Sequence, residues 1–219
     1  MSDIFQEVDE EVRRDKAAEL WKKYQNLVIG AAVLIVLATA AFRFYENRRI
    51  AAEQAAGAAF QQALTLDRDG KGAEAAAAMA KLAADAPQGY RALARLAEAA
   101  IIAKTDPKRA IAAYDALAGD ASIGALFQNA ARLRAALLRL DGGEAETAKP
   151  ALEALAATGG VYRNTARLAL GAAALNAGDY DGAGKWLDQI VADPEAPDTE
   201  KGGAESLLGL VAANRPAAK

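Results

Sequence analysis

Sixteen consecutive residues, Leu27–Phe42 (LVIGAAVLIVLATAAF), carry no charge, in a chain of 219 residues of which a quarter are charged. Coiled into an α-helix, the run covers roughly 24 Å, less than a hydrocarbon core of about 30 Å. Its flanks supply the difference. Trp21 and Tyr24 precede it and Phe44 and Tyr45 follow it, the aromatic types that settle at headgroup depth. Arg43 can extend its guanidinium outward along its own apolar stem. From Tyr24 to Tyr45 a helix spans roughly 33 Å. The pattern predicts one transmembrane helix over residues 25–45. A cleaved secretory signal also has an apolar core, and Ala38-Thr39-Ala40 fits its small-x-small cleavage pattern. Against that reading, the 26 residues before the run hold seven acids and five bases, whereas the leading segment of a signal is short and basic. The core helix of a soluble domain is the third possibility, but no later segment is comparably apolar.

Charge sets a direction. Within about 20 residues of the run, Arg13, Arg14, Lys16, Lys22 and Lys23 lie on the N-terminal side and Arg43, Arg48 and Arg49 on the other. The excess places the N-terminus in the cytoplasm and the large C-terminal region outside it. Residues 1–24 then read as a cytoplasmic amphipathic segment. Asp3 is its N-cap, with Gln6 three residues on, and Ile4, Val8 and Val12 form a narrow stripe, either for the bilayer or a partner or simply on a frayed, solvated helix.

Beyond Ile50 there are 18 basic and 21 acidic side chains, which leaves no basic footprint for nucleic acid. The chain has no cysteine and no histidine. Disulfides, thiolate nucleophiles, zinc sites and histidine acid–base chemistry are excluded.

A repeat decides the rest of the fold. An alanine, a large apolar residue four on and another three further recur as Ala75/Met79/Leu82, Ala110/Tyr114/Leu117, Ala148/Leu152/Leu155 and Ala183/Leu187/Ile190, separated by 35, 38 and 35 residues. Ala-Arg-Leu precedes the last three, at 94–96, 131–133 and 166–168, with Ala99, Ala136 and Gly171 three residues after each leucine. Turn signals lie between: Thr105-Asp106-Pro107, Asp141-Gly142-Gly143 and Gly178-Asp179. Offsets of three and four put the apolar residues on one helix face, and the recurrent small residue lets two helices approach closely. Each unit is therefore an αα-hairpin that buries its apolar face only by stacking on others. The spacing predicts hairpins 53–66 with 71–84, 88–104 with 108–118, 122–140 with 144–157 and 161–177 with 180–192, and a closing helix over about 199–213. The first of these helices continues the apolar one, since no proline intervenes. Pro150 falls near the start of its helix, where proline is tolerated. The fold class is all-α: an N-terminal transmembrane helix followed by a tetratricopeptide-like αα-hairpin solenoid over residues 46–219.

The period and the helix–turn–helix unit resemble tetratricopeptide repeats, with Ala or Leu at most of the aromatic consensus positions and the closing proline matched only by Pro87. The order of parts resembles the bacterial ancillary subunit of the Sec translocon. That likeness is strongest from the apolar run through Phe60-Gln61-Gln62-Ala63-Leu64. It implies a single-pass inner-membrane protein with a periplasmic repeat domain. Its implied partners are the translocon and a membrane-anchored periplasmic chaperone of the prolyl-isomerase type, for handling newly translocated proteins. Cleavage near Ala40 would instead release a soluble secreted repeat adaptor.

The residues offer little for catalysis. Ser2, Ser122 and Ser206 have no histidine to activate them. The carboxylate pairs Glu144/Glu146 and Asp179/Asp181 lie at expected helix starts, where acids complement the dipole. Asp179, Asp181 and Asp188 lack the ligand spacing of a calcium loop. With no strand followed by a glycine-rich turn, phosphate cradles are unsupported. The expectation is a binding protein without catalytic residues, cofactor, metal or small-molecule substrate. Arg95, Arg132 and Arg167 hold the same place in three first helices, with Asn129 and Asn164 three residues before the latter two. Such a row of forked cations could grip a partner's carboxylates or carbonyls; it could equally cover helix surface and pair with nearby acids.

Overall fold

Alanine-rich segments with few β-branched residues favour helix. Among the described residues the regular elements are nine α-helices and one 3-10 turn, without a strand. The computed structural model describes residues 3–157 and 159–215, with side chains from Arg13 onward. The Asp3 cap and the Ile4/Val8/Val12 stripe lie outside the described side chains. The chain forms two compact units, Met1–Gln54 and Ala55–Lys219.

Helix α1 (Asp3–Arg68) supplies the first unit and the first helix of the second. No proline occurs before Pro87, so nothing in the sequence forces a break. None of its apolar stretch is buried, and the helix is long and apolar enough to cross a membrane. Leu27, Ile29, Leu34, Ile35, Val36 and Leu37 are all more than half exposed. A helix that is apolar all round needs an apolar surrounding. The one polar side chain of the run meets the same condition: the Thr39 hydroxyl donates to the Ile35 carbonyl at 2.8 Å, leaving no unpaired group for lipid to solvate.

The second unit starts with the end of α1 and continues through α2 (Gly72–Asp85), α3 (Gln88–Ala103), α4 (Pro107–Gly119), α5 (Ala125–Asp141), α6 (Ala145–Ala157), α7 (Arg163–Asn176), α8 (Tyr180–Val191) and α9 (Asp198–Asn214). All twelve residues of the repeated triplets are buried, none more than 9% exposed. Their contacts straddle the hairpins. Ala75, Met79 and Leu82 of α2 pack with Ala56 and Ala63 of α1 and with Ala94 and Ile101 of α3. Tyr114 and Leu117 of α4 pack with Ala99 of α3 and Ala131 of α5, and Leu152 of α6 packs with Leu133 of α5 and Leu170 of α7. For α8, whose Leu187 and Ile190 are fully buried, the covering residues are Ala204 and Val211 of α9.

Three of the four hairpin turns share one device. Gly70, Gly143 and Gly178 have φ between 77° and 79°, which costs glycine little. The next residue donates back into the helix, as Glu144 N–H does to the Arg139 carbonyl at 2.8 Å. The remaining turn uses Asp106, whose carboxylate accepts from Arg109 N–H at 3.0 Å ahead of Pro107.

Two helix starts lie two or more residues from the sequence expectation, and one proline sits elsewhere than expected. Helix α5 starts at Ala125 rather than 122, because Ala121–Ile123 form a 3-10 turn and Gly124 has φ +80°, which stops that turn running into the helix. Helix α7 starts at Arg163, after the Gly159-Gly160 bend. Pro150 sits inside α6 rather than near its start. Pro150 and Glu146 are both exposed, so water can replace the donor that proline lacks.

Close approach is tightest at Gly171. A Cβ added there would lie 2.8 Å from both Cγ and Cδ2 of Leu187. Gly171→Ala should therefore destabilise despite gaining about 1 kcal/mol of helix propensity, because overpacking costs about 1–3 kcal/mol. Leu187→Ala should cost about 2–5 kcal/mol. Denaturant unfolding of the detergent-solubilised chain checks both, with exposed Lys185→Ala expected to stay within about 0.5 kcal/mol of wild type.

Candidate partner-binding surface

The first helices project side chains at two levels, and each arginine of the row has a partner within the chain. Arg95 of α3 donates to Asp120 Oδ2 at 2.5 Å and lines a cleft of about 700 Å³ with Arg91, Ile123 and Phe127. Arg132 of α5 donates to Asn129 Oδ1 at 2.8 Å and to the Ala118 carbonyl at 3.1 Å. With Asn129 it lines a different cleft, of about 660 Å³, against α4 and α6. Arg167 of α7 donates to Asn164 Oδ1 at 2.9 Å and reaches Asp193 Oδ2 at 3.4 Å. Asn164 is 3% exposed and donates to the same Asp193 oxygen at 3.0 Å. The structure thus joins Asn129 to Arg132 and Asn164 to Arg167, but it gathers no single groove from all five residues. Arg132 keeps an exposed side and Arg95 a partly exposed one, whereas Arg167 is largely covered.

A second level, one turn earlier, was not foreseen from the sequence. Arg91 Nε donates to the Ala86 carbonyl at 2.8 Å, and Gln128 Nε2 to the Ala118 carbonyl at 3.1 Å. Arg163 holds Asp193 through Nε at 2.7 Å and Nη2 at 3.0 Å, and Glu195 through Nη2 at 2.8 Å. These groups collect where the second helices α2, α4 and α8 end. Terminal carbonyls there lack intrahelical donors and carry the negative end of the helix dipole. A signal existed: Asp85, Asp120 and Asp193 each stand three residues after the last core residue of a second helix. Exposed apolar side chains lie nearby in sequence, Leu93 within α3, Leu126 at the start of α5 and Val161 just before α7.

Two of the acids weighed for metal binding have other partners. Asp179 caps α8 by accepting from Gly182 N–H at 2.8 Å, and Asp181 pairs with Arg215. Among the described residues no three acids cluster to hold a metal ion.

Two carboxylates at the second-helix ends, Asp120 and Asp193, are held in the charged form. The Ser122 hydroxyl, then the Arg95 guanidinium, lower Asp120 to about 2. The Arg163 guanidinium foremost, with the Asn164 amide and Glu195 N–H, holds Asp193 well below the ordinary carboxylate range; the same contact raises Arg163. Burial pushes the Tyr114 hydroxyl up, against a smaller opposing effect of Arg134. Depressed carboxylates stabilise the fold fully above their unfolded value, about 3.9, and lose that contribution as pH falls through the folded value. Melting temperature should therefore fall as pH drops from about 3.9 through about 2. The double variant Asp120→Asn/Asp193→Asn should melt lower at neutral pH and lose part of this acid dependence. Melting curves across acidic pH check it.

Stacked hairpins with polar clasps define an α-helical repeat scaffold, a binding architecture that is typically non-catalytic. Residues 18–159 match the tetratricopeptide repeat-like domain, well over half of the chain, and the protein belongs to that family. The match takes in the apolar run and the first three hairpins and ends just beyond α6. No curated protein and no solved structure matches the chain.

Proposed function

We propose that this protein is a membrane-anchored scaffold of the bacterial inner membrane, with a cytoplasmic N-terminus and a periplasmic repeat unit that receives partners during protein translocation. The observation that carries the reading is the fully exposed, uncharged stretch of α1 in a chain whose remaining helices form a tetratricopeptide-like stack. Such repeats bind proteins, and the bias of basic residues across the run favours the orientation. The order of parts, like that of the ancillary translocon subunits, supports the Sec translocon and a membrane-anchored prolyl-isomerase-type chaperone as partners. A reporter active only outside the cytoplasm should be active when fused after Lys219 and silent when fused before Asp3. The reverse pattern overturns the orientation and, with it, the periplasmic role.

Within this reading Arg132 is the row member best placed to meet a partner. It is exposed and, among the described residues, pairs with no carboxylate. Arg132→Ala should lower recovery of translocon components from detergent-solubilised membranes while shifting the melting temperature little. Unchanged recovery would assign the row to the fold alone. Arg95→Ala and Arg167→Ala are less selective, because each also removes an internal ion pair.

A further inference from the structure

The two flanks of the apolar run differ in more than their count of bases. From Arg13 to Tyr24 the helix carries Arg13, Arg14, Lys16, Lys22 and Lys23 against Asp15 and Glu19, a net charge of +3. None of these five cations takes part in the ion pairs of the described residues, and all are exposed. On the other flank Arg49 lies between Glu46 at 2.9 Å and Glu53 at 3.6 Å. Arg48 rests 5.5 Å from the centre of the Phe44 ring. Among the described residues, one flank pairs Arg49 with two carboxylates, and the other forms no ion pair.

Placement fits a membrane surface. At about 1.5 Å per residue, Lys22 and Lys23 stand roughly 6–8 Å before Leu27 and Arg13 roughly 21 Å before it. Trp21 and Tyr24 mark headgroup depth, and the Lys23 ammonium sits 5.5 Å from the Tyr24 ring centre. At about 100° per residue, Arg13, Lys16 and Lys23 share a side with Leu20, while Arg14 and Lys22 point elsewhere, so headgroups can approach from around the helix. Lys22 and Lys23 lie within about one screening length of the run, about 8 Å at physiological salt, and carry most of the attraction.

We propose that residues 13–24 bind anionic phospholipid headgroups of the phosphatidylglycerol type in preference to zwitterionic ones. The inference rests on the membrane-spanning reading of α1. A zwitterionic headgroup presents its own ammonium beside the phosphate; an anionic headgroup offers unopposed negative charge to the open lysines and arginines, an attraction that adds with each cation near the surface.

The chain has two tryptophans, so a full-length Trp186→Phe protein makes Trp21 the sole indole. It is reconstituted into vesicles of equimolar phosphatidylglycerol and phosphatidylcholine in which only one of the two lipids carries brominated acyl chains. Brominated phosphatidylglycerol should quench Trp21 severalfold more than brominated phosphatidylcholine. High salt, and separately Lys16→Gln/Lys22→Gln/Lys23→Gln, should shrink the difference. Equal quenching by the two lipids, or a preference that survives the triple variant, overturns the headgroup proposal while leaving the membrane reading intact. Absence of quenching by either lipid overturns both.

Discussion

Each second helix of the stack is covered on one side by its own hairpin partner and on the other by the helix that opens the next layer. Met79 depends on α1 and α3, Leu117 on α3 and α5, Leu152 on α5 and α7, and Leu187 on α7 and α9. No hairpin is complete alone, which is the general condition of a solenoid. Helix α9 meets that condition for α8: without Ala204 and Val211, Leu187 and Ile190 would face water. Alanine makes the arrangement possible. Ala75, Ala110, Ala148 and Ala183 are fully buried at the crossings, and their small side chains bring the helix backbones close.

Polar clasps at the second-helix ends complement this apolar layering. Helix ends leave carbonyls without donors, and a stack concentrates such ends in one region of each layer. Arg91, Gln128 and Arg132 supply donors directly, while Arg95 and Arg163 act through Asp120 and Asp193. Arg167 Nε is the one side-chain polar atom among the described residues that is buried without a hydrogen bond. Its guanidinium is anchored through Nη1 instead.

How far the sequence revealed the structure follows from the range of each interaction. Helix periodicity is local, so the triplets from Ala75 to Ile190 could be assigned to one buried face, and all twelve residues lie there. The unbroken passage from the apolar run into the repeats was also legible, since no proline interrupts α1. The register of the arginines was not. Their row could be placed in sequence, but its orientation depends on Asp120 and Asp193, which lie 25 and 26 residues beyond Arg95 and Arg167 in loops. Local turns blurred the start of α5, where Gly124 overrides a continuous helical pattern.

The contact between Gly171 and Leu187 gives the fourth hairpin an evolutionary character of its own. Where a methyl group would collide with the branch point of a fully buried leucine, neither position can drift independently. A larger residue at 171 is eased by a smaller or reshaped one at 187, so the effects of change at the two positions are coupled. The corresponding sites Ala99 and Ala136 already carry that methyl group opposite Tyr114 and Leu152, within layers spaced to admit it. Successive layers of one repeat thus hold different steric settlements at the same crossing, and a hairpin transplanted from one layer to another would bring the wrong one.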